Sequence, residues 1–271
     1  MVAYFKRECF FFSLVGSSVG LLAAIALYPG TISTQPGYIR MYYIAMLVIV
    51  GFVFGRMYAA VWANKRLKSI NGILYQQGRP QEFIDAFGPL VSRTKPDSAE
   101  AMAGKIKLAF ANEALGKFQE ALDSLEDLDP NLLKLHALPV AANLRNQQLR
   151  LALLLEDKER ASTYMAELRS LEETARGRAA TIASQLRQCI RLAECWMAVL
   201  EAKDSDMEYL SEEIRLATND IHKSEMQLLL ARAQHNRGDN ETAFETLLDA
   251  KVTGQGFWTG KKAGTLIQQL S

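Results

Sequence analysis

From Cys9 to Ile39 the chain carries no charged side chain. Within that stretch, CFFFSLVGSSVGLLAAIALY from Cys9 to Tyr28 supplies the roughly twenty residues that a helix needs to cross a bilayer core of about 30 Å. A second apolar run, Met41 to Ala63, follows a break marked by Pro29, Gly30, Pro36 and Gly37, and only Arg56 interrupts it. An arginine about seven residues from the end of a span lies about 10 Å from the interface, within reach of the headgroups for its guanidinium. The expectation is a transmembrane hairpin over residues 1–64, with spans at 9–28 and 41–63.

Cations in short flanking segments orient such a hairpin. Lys6 and Arg7 precede the first span, Lys65, Arg66 and Lys68 follow the second, and only Arg40 lies near the intervening turn. These five anchors predict a multi-pass protein of the plasma membrane with both termini in the cytoplasm. Ala24-Ile25-Ala26 resembles a signal-peptidase site, but cleavage there would leave the second span entering from outside and the C-terminal part still cytoplasmic. Each span also holds a GxxxG, Gly16 with Gly20 and Gly51 with Gly55. Small residues let helix backbones approach closely, and the matching depths of the two motifs favour packing within the hairpin over dimerisation.

Charge separates the two parts of the chain. Residues 1–64 hold four basic side chains against one acidic, and the remainder holds 27 basic against 29 acidic. A mildly acidic soluble part lacks the concentrated positive field that neutralises phosphates, which argues against nucleic acid as a partner. Cys9, Cys189 and Cys195 form no CxxC pair, and His136, His222 and His235 form no HExxH; neither metal nor cofactor is expected. Gly260-Lys261-Lys262 has the wrong neighbours for a phosphate loop, with Gln255 where a glycine is needed and Lys262 where Ser or Thr would hold magnesium. No motif carries catalysis, and the chain does not read as an enzyme.

Beyond Asn64 the composition is rich in Ala, Leu, Glu, Lys and Arg without strand-like alternation, which reads as all-α. Turn clusters at Gly78-Arg79-Pro80, Gly116-Lys117, Glu156-Asp157-Lys158, Ala202-Lys203-Asp204 and Gly238-Asp239-Asn240 recur at about 36 to 45 residues, the interval of stacked two-helix repeats. Gly116-Lys117-Phe118-Gln119-Glu120-Ala121 with Asp129-Pro130, and Gly238-Asp239-Asn240-Glu241-Thr242-Ala243 with Leu247 and Ala250, resemble the tetratricopeptide repeat (TPR). Ala121 and Ala243 stand where a small residue lets paired helices come close. Phe83 takes that place in the first unit, the second unit has a shortened second helix, and the fourth lacks a glycine turn. The expected fold is therefore a two-helix transmembrane hairpin followed by a TPR-like α-solenoid. About five helical hairpins span 65–95, 98–129, 137–172, 178–217 and 222–251 in a domain of residues 65–253. Residues 254–271 are a tail or a cap in which Phe257 and Trp258 would seal the last repeat.

The resemblance implies a concave groove lined by the first helix of each pair. It places Asn143, Asn146 and Arg150 on one stripe and Arg232 with His235 on another, with Lys65 and Lys68 sharing a face in the first unit. Amides and guanidinium groups there suit a peptide backbone or terminal carboxylate. The function expected is a membrane-anchored protein–protein interaction scaffold for a cytoplasmic protein or peptide. The alternative is a structural subunit of a membrane complex assembled through the spans.

Overall fold

The computed structural model describes residues 2–27, 35–128 and 138–270. The turn at Pro29 and Gly30, the Asp129-Pro130 dipeptide and His136 lie outside them. The described residues are all-α, and the chain divides into two compact units, Met1–Asn71 and Gly72–Ser271.

In the first unit a 3-10 turn, Val2–Phe5, runs into α1 (Lys6–Leu27), and α2 (Gly37–Tyr75) follows. Both helices are long and apolar enough to cross a membrane. Their apolar side chains point outward: Phe10, Phe11, Leu22, Ile25, Phe54 and Val61 are each at least 60% exposed, far more contiguous apolar surface than water tolerates. Ser13, Ser17 and Ser18 donate to the carbonyls of Cys9, Ser13 and Leu14 at 2.9–3.1 Å, so their hydroxyls need no partner from outside the helix.

α1 and α2 pack antiparallel, with Cys9 against Ala59, Phe12 against Gly55, Gly16 against Gly51 and Gly20 against Leu47. At the glycines the two backbones touch. A Cβ on Gly16 would lie 2.9 Å from Gly55 Cα, and one on Gly51 would lie 3.1 Å from Gly20 Cα. Below the glycines, rings fill the wider gap: Phe5 meets Trp62 edge-on at 5.4 Å and Phe12 meets Tyr58 at 5.2 Å. α2 does not stop where the apolar run ends. Nothing between Asn64 and Tyr75 breaks a helix, so it continues about 18 Å further, and the expected boundary after residue 64 falls inside it.

The second unit is a run of helical hairpins after the end of α2: α3 (Pro80–Val91), α4 (Ala99–Ala114), α5 (Phe118–Glu126), α6 (Leu138–Leu154), α7 (Lys158–Arg176), α8 (Ala180–Leu200), α9 (Met207–Leu216), α10 (Asp220–Asn236), α11 (Asn240–Thr253) and α12 (Trp258–Leu270). One turn recurs. Gly78, Gly116, Glu156, Ala202 and Gly238 all adopt left-handed backbone, with φ between 52 and 83°. In the last four turns the next N–H, from Lys117, Asp157, Lys203 and Asp239, reaches back to the carbonyl five residues earlier at 2.9–3.0 Å. This is the Schellman closure that satisfies the last carbonyls of a helix. Asp157, Asp206 and Asp239 then cap the following helices by accepting from Arg160, Tyr209 and Thr242 N–H. Four residues beyond each cap stand Phe83, Ala121, Ala161, Leu210 and Ala243, all fully buried. Three of the five are alanines, and their small volume sets how near the paired helices come. Phe83 instead stacks on Phe87 at 5.1 Å.

The row of hairpins closes on itself through α12. Its residues Ala263, Leu266 and Ile267 join Leu228, Ala231, Leu247 and Ala250 of α10 and α11, while the residues at its start reach the opposite end of the row. Phe257 packs over Gly78, and Trp258 lies over Gly116 and meets the Phe118 ring edge-on at 4.9 Å. The bend into α12 requires Gly254 and Gly260 side by side, where a Cβ on Gly254 would lie 2.6 Å from Gly260 N. The final segment thus bridges the fifth hairpin to the first two turns.

Candidate functional site

Closure by α12 leaves a cavity of about 600 Å³ in the second unit. Its walls come from α5, α6, α8, α10, α11 and α12, and they are largely apolar: Leu153, Leu228 and Leu229 with the rings of Phe118, Trp196 and Trp258. That volume lies within the range of small-molecule sites. Arg232 and His235 border it, and each is engaged. Arg232 donates to Glu156 Oε1 at 2.6 Å, a bond that holds the Glu156 carboxyl below its ordinary range despite some burial. His235 Nδ1 lies 2.7 Å from Asn240 Oδ1. Lys262 also lines the cavity and is exposed.

Beside the cavity lies a buried charge cluster that crosses three helices. The Arg150 guanidinium on α6 donates to Glu113 Oε1 on α4 at 2.6 Å and to Glu225 Oε2 on α10 at 2.7 Å. Both carboxylates are shielded from solvent, with side-chain exposures of 0% and 1%, and Arg150 keeps 16%. Gln147 donates to the second oxygen of Glu113. Two carboxylates sharing one guanidinium in a dry site cannot both ionise freely. Burial pushes the Glu113 carboxyl up to about 7, against the pull of Arg150 and with help from the charge of Glu225. Burial would lower the Arg150 guanidinium, but the two carboxylates outweigh it and hold it firmly protonated. Glu225 Oε1 and Arg150 Nε are buried and have no hydrogen-bond partner among the described residues. Glu225 itself lines the cavity.

The residues assigned to the two groove stripes differ in their surroundings. Asn143 is exposed and Asn146 half-buried on α6, and neither lines the cavity. Arg150 faces inward to its two carboxylates, and Arg232 and His235 stand at the cavity wall. The membrane-flanking cations are exposed: Lys6 and Arg7 at the start of α1, and Lys65, Arg66 and Lys68 on α2. The Phe5–Trp62 contact puts both groups at the same end of the antiparallel pair, with the Arg66 guanidinium 5.7 Å from the Trp62 ring. Gly16, Gly20, Gly51 and Gly55 all lie in the seam between α1 and α2.

Sequence reasoning missed Glu225, Trp196 and Trp258 as walls of one cavity and Glu113 as the partner that Arg150 joins to Glu225. A local signal existed for the two acids. Glu113 is flanked on α4 by buried Ala109, Ala111 and Ala114, and Glu225 stands amid the unbroken buried run from Ser224 to Ala231. A carboxylate on a buried face demands a partner. Among the described residues no group of histidines, cysteines and carboxylates is arranged to hold a metal ion. Compared with protein-family models, with curated proteins and with solved structures, the chain matches none.

Proposed function

We propose that the protein is a membrane-anchored interaction scaffold: α1 and α2 span the plasma membrane as a hairpin, both termini face the cytoplasm, and the helical-repeat unit presents a binding surface to a cytoplasmic protein. The supporting observation is the contrast between the two units. One is sheathed in exposed apolar side chains over membrane-spanning lengths; the other carries charged, exposed helix faces and has its own core. The clustering of Lys6, Arg7, Lys65, Arg66 and Lys68 at one end of the hairpin supports the orientation. The recurrent left-handed turn, the capping aspartates and the buried alanines support a tetratricopeptide-like unit, whose use elsewhere is recognition of other proteins. Tethering raises the local concentration of whatever binds without any catalysis.

The rival reading, a subunit assembled through glycine faces of the spans, has less support because all four glycines are occupied within the hairpin. Two measurements test the proposal. A reporter fused after Ser271 should be inaccessible from outside intact cells. Photo-crosslinkers placed at Asn143 and at Arg232 should each capture a cytoplasmic protein. Reporter exposure on the outer surface, or solubility of the full chain without detergent, would end the proposal.

A further inference from the structure

We propose that the cavity of the repeat unit binds a small organic cation, with an ammonium group held by Glu225 and an apolar body set among Phe118, Trp196 and Trp258. The inference goes beyond the scaffold reading and does not rest on it; the cavity takes its ligand whatever protein the outer surface meets.

Charge is the starting point. Glu113, Arg150 and Glu225 together bring two solvent-shielded carboxylates onto one guanidinium that keeps 16% of its side-chain exposure. When both acids are ionised the guanidinium offsets only one of them, and His222 Nδ1, 3.9 Å from Glu225 Oε2, offsets the other only if it is protonated. Arg150 Nη2 donates to both Glu113 Oε1 and Glu225 Oε2, the second oxygen of Glu113 takes Gln147, and Arg150 Nε stays buried without a partner. One carboxylate oxygen, Glu225 Oε1, is left buried without a donor, and it belongs to the cluster member that lines the cavity. A buried acceptor of this kind costs free energy until a donor arrives, and a charged donor gains most.

The walls select what carries that donor. Three aromatic rings and several leucines line the same space, and aromatic faces attract ammonium groups. An acceptor on the ligand's body, such as a hydroxyl, would find a donor in Trp258 Nε1, which is buried without an acceptor. An anionic ligand has no comparable place. Arg150 is not among the residues that line the cavity and Arg232 is committed to Glu156, which leaves Lys262 at an exposed position. The chemistry of the site is thus that of a hydrophobic amine with about the volume of an arylalkyl group.

The test uses the full chain in lipid nanodiscs at neutral pH, carrying Trp62→Phe so that Trp196 and Trp258 report. Three probes of similar size differ in charge: phenethylammonium, phenylpropanol and hydrocinnamate. Phenethylammonium should quench the fluorescence at one site and bind about tenfold or more tighter than the alcohol, the usual worth of a charge-assisted hydrogen bond. Glu225→Gln should erase that preference. Should Glu225→Gln fail to fold, Leu200→Trp fills the cavity without touching the charge cluster and should abolish binding of the amine. Equal binding of all three probes, preference for hydrocinnamate, no binding of the amine, or amine binding that survives Leu200→Trp would each overturn the proposal.

Discussion

Replacing Arg150 by methionine keeps most of the side chain's volume and removes its charge, which leaves Glu113 and Glu225 without the guanidinium they share. Both carboxylates are almost wholly shielded from solvent, so water cannot take over the role of the guanidinium. Breaking a buried ion pair from one side costs about 3–5 kcal/mol. The chain has one way to soften this, protonation of an acid, and Glu113 is already poised with a pKa pushed up to about 7. Each unit of acidification makes taking up a proton easier by about 1.4 kcal/mol. Arg150→Met should therefore cost about 3–5 kcal/mol at pH 7.5 and roughly half of that near pH 5. Urea unfolding of the full chain in detergent micelles, followed by Trp196 and Trp258 emission in a Trp62→Phe background, measures both values. A control tightens the inference: replacing Glu113, Arg150 and Glu225 together by Met, Met and Leu should recover the loss or exceed the parent, because a well-packed apolar substitute avoids desolvation altogether. A penalty below about 1 kcal/mol, or one that is the same at both pH values, would refute the view that the cluster is dry and electrostatically strained.

Three other outcomes follow from the same geometry. The Glu113 carboxyl is raised, so the folded state holds its proton between the ordinary carboxyl range and about 7. Stability should then fall as pH rises through that window, by on the order of 1–3 kcal/mol, and Glu113→Gln should flatten the fall in paired urea titrations at pH 5 and 7.5. Gly51→Ile drives side-chain atoms into the Gly16 and Gly20 backbones; at the usual cost of about 1–3 kcal/mol for overpacking, it should abolish the oxidative cross-link between Cys9 and a cysteine introduced by Ala59→Cys. Undiminished cross-linking would mean that the spans do not touch there. Ala202 holds φ at 52°, so Ala202→Gly should raise stability by about 0.5–1 kcal/mol in urea titration; a loss would show that the alanine methyl matters more than the turn.

The helices were readable from sequence because their signals are local. Apolar length marks α1 and α2, glycine marks three of the left-handed turns, and the capping aspartates mark helix starts. Glu156 and Ala202 occupy the same left-handed position without glycine, and there only the spacing of the turns pointed to a hairpin. Loss of apolar character after Ala63 does not end a helix, and α2 persists to Tyr75, just before the Gly78 turn. The cavity was not readable. Glu113, Arg150 and Glu225 are 37 and 75 residues apart along the chain, and no local pattern joins them. A polar stripe on a helix looks the same in sequence whether it meets water or a buried carboxylate, and Arg150 meets two carboxylates. Phe257 and Trp258 were expected to seal one end of the stack; their contacts with the Gly78 and Gly116 turns depend on how far the row of hairpins curves.

That bridge by the final helix changes what kind of object the row of hairpins is. A linear array has two frayed ends, loses units one at a time, and tolerates duplication or deletion of a unit because each touches only its neighbours. With Trp258 seated against Phe118, there is no free end from which unravelling can start, and inserting a sixth hairpin would pull that lock open. The number of units is thereby fixed by geometry, and melting should be a single concerted event.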